Sequence, residues 1–233
     1  MTNTVKLHPI ATIHSCFQEK FGIPRQPGLT RIPASIIMKP EYSQPEAFRE
    51  LASFSHIWII FLFHQISDKA WKPTVRPPRL GGNERVGIFA SRSMFRPNPI
   101  GLSVVELISI KPTPRCIELE IVGGDFLDQT PVLDIKPYLP YVDAIPDAQS
   151  AYATTSPDAI LKVEFKPQAI EQLAQYDQAE PIRQALIQVL QLDPRPAYQN
   201  QVNEREYGMR IYDCDVKWQV TGSTATVNSI EHI

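Results

Sequence analysis

Ile100-Gly-Leu-Ser-Val-Val-Glu-Leu-Ile-Ser-Ile110, then Lys111-Pro-Thr-Pro, then Arg115-Cys-Ile-Glu-Leu-Glu-Ile-Val122 is the stretch on which the fold turns. Apolar and polar residues alternate in both flanks, most cleanly where Ile117, Leu119 and Ile121 interleave with Glu118 and Glu120. That is the period of a half-buried strand, and the proline-bearing residues between the flanks read as a turn. Outward from there, Pro131 to Ile135, Arg85 to Ala90, Ser55 to Phe63 and Val5 to His14 read as further strands. A short helix is expected over Gln44 to Phe54, with Ser43 in N-cap position and Glu46 three residues on. Short strands joined by turns, without β/α alternation, favour a barrel or a sandwich over a doubly wound sheet.

The composition agrees. The 233 residues include 22 Pro and only 10 Gly, and proline disfavours helix interiors and central strands, so many short elements are expected and a long-helix bundle is excluded. Around residues 145 to 160 the chain turns small, polar and proline-bounded, as in a linker. Beyond it come a strand pattern at Ile160 to Phe165 and helix patterns at Pro167 to Tyr176 and Glu180 to Leu192. A closing meander follows at Met209 to Ile211, Val216 to Val220 and Ala225 to Ile230, with Gly222-Ser223 turning between the last two. The organisation expected is a mainly β unit over 1–145, a linker over 146–159 and a small α+β unit over 160–233. Cys16, Cys116 and Cys214 are too scattered for a disulfide framework, and the five histidines are too scattered for a metal site. Neither a signal peptide nor a bilayer-length apolar run is visible, which makes the cytoplasm the expected compartment.

The formal net charge of −2 conceals a segregation. Lys69 to Arg115 holds nine basic and two acidic residues, while Cys116 to Asp193 holds thirteen acidic and four basic ones. A basic block of this kind can meet a polyanion whatever the total charge, because phosphate contacts follow local potential; it can equally be a solvated face. No G-x-G-x-x-G, P-loop, H-E-x-x-H or G-x-S-x-G motif is present, and Val122-Gly-Gly-Asp125 meets Pro131 too soon for the helix of a dinucleotide loop. What stands out instead is Ser91-Arg-Ser-Met-Phe-Arg-Pro-Asn-Pro-Ile-Gly-Leu-Ser103, Phe63-His-Gln65 at a strand end, and Asp128-Gln-Thr-Pro-Val-Leu-Asp-Ile-Lys-Pro-Tyr138.

Taken in order with Pro24-Arg-Gln-Pro-Gly28, Thr74-Val-Arg-Pro-Pro-Arg-Leu-Gly-Gly82 and the late Asp193-Pro-Arg-Pro-Ala-Tyr198, these segments resemble the TrmO/TsaA-like (YaeB) tRNA methyltransferases. The resemblance implies a mainly β-barrel N-terminal domain that binds S-adenosylmethionine outside the Rossmann fold, a small α+β C-terminal domain that docks tRNA, and a homodimer. The implied reaction is methyl transfer to N6 of threonylcarbamoyladenosine at position 37 in the anticodon loop, chiefly of threonine tRNA, with no metal. By matching motif positions, the cofactor would be held by Pro24, Arg25, Gln26, His64, Gln65, Arg92, Leu102, Asp128, Gln129, Thr130 and Pro131. Where Gln129 stands a glycine is more usual, and if the loop needs a positive φ there, glutamine is the strained choice.

In-line displacement at a sulfonium rests on positioning, and a carboxylate such as Asp134 or Asp128 could take the proton from the attacking nitrogen. Lys136, Arg85 and Arg96 are candidate partners for the threonylcarbamoyl carboxylate. Arg76, Arg79, Arg85 and Arg96 would meet phosphates, with Phe95, Tyr138 or Tyr198 stacking on a base and Arg195 contributing from the C-terminal unit. Two rivals are a non-catalytic RNA-binding adaptor and a ribonuclease built on Arg195, Arg205 and Tyr207.

Overall fold

The computed structural model describes residues 5–66, 71–157, 159–195 and 205–233. In the first unit the strands are β1 (Ala11–His14), β2 (Pro33–Met38), β3 (His56–Leu62), β4 (Thr74–Val75), β5 (Val86–Gly87), β6 (Ile100–Pro112), β7 (Ile117–Val122) and β8 (Thr130–Pro137). Six of them close a barrel in the order β1-β2-β7-β6-β3-β8, every pair antiparallel, and β4 and β5 form a separate two-stranded ribbon. Closure decides between the barrel and the sandwich, and it leaves no unpaired edge.

Alternation sends Ile57, Ile59 and Phe61 of β3, Val105 and Leu107 of β6, and Leu119 and Ile121 of β7 inward to one core with Ala11, Ile13, Ile36 and Val132. Gly101 pairs across from Phe61, and a Cβ there would fall on the Phe61 ring. The ring instead makes edge contacts with Phe126 at 5.0 Å and Phe63 at 5.1 Å. A register shift at Ile60/Phe61 leaves Leu133 as the extra residue of β8.

Three expected elements differ from what forms, and one strand forms that was not expected. The helix over Gln44 to Phe54 is two single turns of 3-10 helix, Pro45–Phe48 and Leu51–Ser53, preceded by a third at Pro40–Tyr42. Pro45, in the first turn, is compatible with a helix start, but Glu50, at φ 66, leaves the right-handed region and breaks the run. Ser43 is not an N-cap but ends the Pro40–Tyr42 turn; its hydroxyl donates to Lys39 O at 3.0 Å and accepts from Ile117 N–H at 3.1 Å. The strand over Arg85 to Ala90 shrinks to β5 and a turn at Ile88–Ala90, the first strand begins at Ala11, and β2 is a strand that the sequence reading passes over.

After α1 (Pro140–Asp143), the second unit comprises β9 (Lys162–Phe165), α2 (Pro167–Leu173), α3 (Ala179–Gln191), β10 (Glu206–Ile211), β11 (Cys214–Thr221) and β12 (Thr224–His232). The sheet order is β10-β11-β12-β9, with β9 parallel to β12. Ile182, Leu186, Val189 and Leu190 of α3 pack on Val216, Trp218 and Val227 of the sheet. This core also takes in Cys16, Phe17 and Ile32 from the β1–β2 connection, and the Phe21 ring stacks on Trp218 at 6.4 Å.

Candidate functional site

The barrel pairing puts the proposed cofactor loops at one end. His14 lies opposite Ser35, Pro33 opposite Val122, Ile13 opposite Thr130, and Leu62 opposite Ile100. The β1–β2 connection, the turn after β3, the approach to β6 and the β7–β8 loop therefore all leave the barrel on the same side.

Side chains join them. Arg92 donates to Gln26 Oε1 at 2.7 Å, linking motifs 66 residues apart, and Lys20 Nζ donates to Gln65 O at 3.0 Å. Burial first, then the Lys20 charge, holds the His64 imidazole below its ordinary value of 6.5, with Asp128 opposing. Its neutral form is the one the site favours. Behind the loops, burial raises the Asp125 carboxyl above its usual range, against the Ser103 hydroxyl at 2.7 Å and the nearby Arg92 charge.

The β7–β8 loop is stitched to the segment after β1. Ser15 N–H donates to Asp128 Oδ1 at 3.0 Å, Ser15 Oγ–H to Phe126 O at 2.8 Å, and Asp128 N–H to Phe17 O at 2.8 Å. Thr130 Oγ1 donates to Leu127 O at 2.7 Å, and Pro131 pairs with Thr12 of β1. Gln129 does take a positive φ, 61°. Its amide meets His14 Nδ1 and Asp128 Oδ2, each at 3.1 Å.

Not every expected cofactor residue joins this cluster. Arg25 turns to the second unit, donating to Arg195 O at 3.1 Å beside Asp193, which leaves Arg92 and Lys20 as the cations among these loops. Pro24 and Arg25 instead line a cavity of about 170 Å³ with Val189, Leu192 and Pro194. Leu102 lies on the outer barrel face, 53% exposed. There it shares a row with Ile60 and Asp134 on the next two strands. Asp134 pairs with Lys136 at 2.8 Å and is about 13 Å along the strand from Thr130, so Asp128 and Asp134 are not a carboxylate pair.

On the same outer face the Tyr138 ring tilts against Trp58 at 5.9 Å and His56 at 6.3 Å, and Trp58 Nε1 donates to Asp143 at 2.9 Å. Of the basic loop, Arg76, Arg79 and Arg85 are exposed, and Arg79 donates to Thr155 O in the linker. Arg96, expected to meet phosphates or the substrate carboxylate, is half-buried and engaged through Nη1 within its own loop. It donates to Ser91 O at 2.7 Å and Ile88 O at 3.3 Å and covers the Phe89 ring, so it shapes its own loop.

Arg195 also departs from expectation. Buried, with its guanidinium bidentate on Asp193 at 2.7 and 2.8 Å, it is a structural cation and presents no charge to RNA. With Tyr207 also buried and Arg205 stacked over its ring, these three residues form no open nuclease cluster. Tyr198 and Lys69 lie outside the described residues. The sequence reading missed His14, Ser15 and Lys20, which carry no motif, and Phe89, which is 74% exposed beside the basic loop.

The donor set suits S-adenosylmethionine: a cation for a carboxylate, and amides, a neutral imidazole and a carboxylate for amine, ribose and base edges. Among the described residues there is no group of three His, Cys, Asp or Glu side chains able to hold a metal, and no helix long and apolar enough to cross a membrane.

Comparison with known proteins covers both units. The tRNA-methyltransferase O N-terminal domain matches residues 12–144, and the TrmO C-terminal domain matches residues 158–233. The chain is 42% identical to the tRNA (adenine(37)-N6)-methyltransferase of Escherichia coli over 98% of this chain and 99% of that one. It is 45% identical to the putative S-adenosylmethionine-dependent methyltransferase RcsF of Pseudomonas aeruginosa, over 94% and 93% respectively. A crystal structure of TrmO from Pseudomonas aeruginosa superimposes with a TM-score of 0.81 at 37% identity, covering 100% of this chain and 99% of that one.

Proposed function

This chain belongs to the tRNA-methyltransferase O family, and from that premise we propose that it is an S-adenosylmethionine-dependent enzyme methylating N6 of adenosine 37 in tRNA. The acceptor in this reading is threonylcarbamoyladenosine, chiefly in threonine tRNA, and the enzyme works in the cytoplasm. The observation that carries it is the convergence of four separate motifs on one barrel end, with Arg92 and Gln26 in direct contact.

Bound there, the cofactor supplies an electrophilic methyl group. Arg92 pairs with its carboxylate, while Gln65, neutral His64 and the Asp128 loop take its remaining polar edges. Positioning dominates such a transfer. Both carboxylates are engaged within the protein, but the Asp134 side chain is 46% exposed against 19% for Asp128, so Asp134, on the open face beside Lys136, is the proton acceptor for the attacking nitrogen. Arg76, Arg79 and Arg85 draw in the anticodon stem, and Tyr138 with Trp58 offers a stacking surface for a loop base. In this division residues 1–145 bind cofactor and catalyse, 146–159 link, and 160–233 dock tRNA. A second copy covers Ile100 and Leu102 in the homodimer, both exposed on the outer face.

The test is incubation with S-adenosylmethionine and tRNA bearing the threonylcarbamoyl group, followed by nucleoside mass spectrometry. One added methyl on that nucleoside is expected; its absence with verified input tRNA would sink the proposal. Methylation of the unmodified adenosine equally well would remove the threonylcarbamoyl specificity alone.

A further inference from the structure

Gln129 stands in the left-handed region, which a residue with a Cβ avoids and glycine does not. Something must hold it there. Its side chain supplies a hold that glycine could not, since Nε2 reaches both His14 Nδ1 and Asp128 Oδ2, each at 3.1 Å. Such contacts need the neutral imidazole with its proton on Nε2, so that Nδ1 accepts one amide hydrogen while the carboxylate accepts the other. We propose that His14 is a positioning residue for the cofactor: it holds the Gln129 side chain and thereby fixes the left-handed turn that aims the Asp128–Pro131 loop.

His14 sits at the end of β1, where the ladder to β8 runs out at Ile13 and Thr130, so the contact extends the strand pairing by one side-chain link. Its other neighbours are already tied. Ser15 holds Asp128 and Phe126, and Phe17 O takes the Asp128 N–H. Losing His14 therefore frees the Gln129 turn while the rest of the loop stays stitched, which separates aim from folding. Half of the His14 side chain is exposed, so a substitution there opens no cavity.

This inference rests on S-adenosylmethionine being the ligand of these loops. Calorimetric titration with S-adenosylmethionine, alongside KM for tRNA and thermal melting, tests it on the full chain. His14→Ala and Gln129→Ala should each weaken cofactor affinity by about tenfold while KM for tRNA stays within about twofold. His14→Asn, whose side-chain oxygen can accept in place of Nδ1, should recover most of the loss. Gln129→Gly should lose less than Gln129→Ala because glycine adopts the turn without strain, and adding His14→Ala to it should change nothing further. Losses that add in the His14→Ala/Gln129→Ala double variant, or a Gln129→Gly variant no better than Gln129→Ala, would overturn the proposal. So would losses that only track melting temperature. A parent protein that fails to bind S-adenosylmethionine would sink the functional reading as well, whereas normal binding with these patterns missing removes this inference alone.

Discussion

Asp128 and Asp134 belong to one motif and to two different jobs. Asp128 is fixed by Ser15 and Gln129 at the barrel end, while Asp134 faces outward beside Lys136. Asp134→Asn should therefore lower kcat by about a hundredfold or more while leaving a measurable cofactor affinity; a variant with full kcat would remove Asp134 as the proton acceptor. His64 sets a pH limit of a different kind. Its folded value lies below 6.5, so the unfolded chain takes up the proton first as pH falls. Stability linked to His64 is complete above 6.5 and declines below it, through the interval down to the lowered value, whereas cofactor binding, which meets the folded protein's neutral imidazole, declines only as pH falls through the lowered value itself. Titration of cofactor affinity against pH should show this acid limb, and His64→Gln should flatten it.

At the scale of elements, arginines of similar sequence context divide by what surrounds them. Arg76 and Arg85 are exposed around the β4–β5 ribbon, whereas Arg195 is locked on Asp193. The Arg76→Ser/Arg85→Ser pair should reduce the slope of log affinity for tRNA against log salt by about two, without changing melting. Arg195→Met should do the reverse, costing about 3 to 5 kcal/mol of stability because it strands a buried carboxylate, and leaving the salt slope alone. Charge in the sequence could not tell these cases apart, because burial is a property of the partner surface. The strands β3, β6, β7 and β8 were legible because one face is core and the alternation survives in Ile57, Ile59, Phe61 and in Ile117, Leu119, Ile121. β2 was not, since prolines bound it and only Ile36 and Met38 are buried. The helix expected at Gln44 to Phe54 failed for a backbone reason, the left-handed Glu50, which no side-chain period announces. The site's loops were readable as motifs, but their shared barrel end follows from strand order, and His14 and Lys20 enter only through it.

Across the whole molecule, the segment between β1 and β2 carries the coupling. It belongs by sequence to the barrel, yet Cys16, Phe17 and Ile32 are buried in the core of the second unit. Tyr212 N–H donates to Cys16 O at 2.6 Å, Arg210 N–H to Glu19 at 3.0 Å, and Arg31 N–H to Gln188 Oε1 at 2.6 Å. One edge of this segment therefore grips the β10–β11 and α3 surface, while Ser15 and Phe17 O grip the Asp128 loop on the other. Neither unit keeps its packing if the other unfolds, because removing the second unit bares Phe17, Phe21 and Ile32, and unfolding the barrel pulls them from beneath Trp218. Calorimetric melting of the full chain should accordingly give a single transition with matching van't Hoff and calorimetric enthalpies. Phe17→Ala, at a site 3% exposed, should shift that whole transition down by about 3 to 5 kcal/mol of stability, with the barrel and the second unit losing structure together. Two resolved transitions, or a Phe17→Ala effect confined to one of them, would show that the units are independent and that the segment merely rests against the second core.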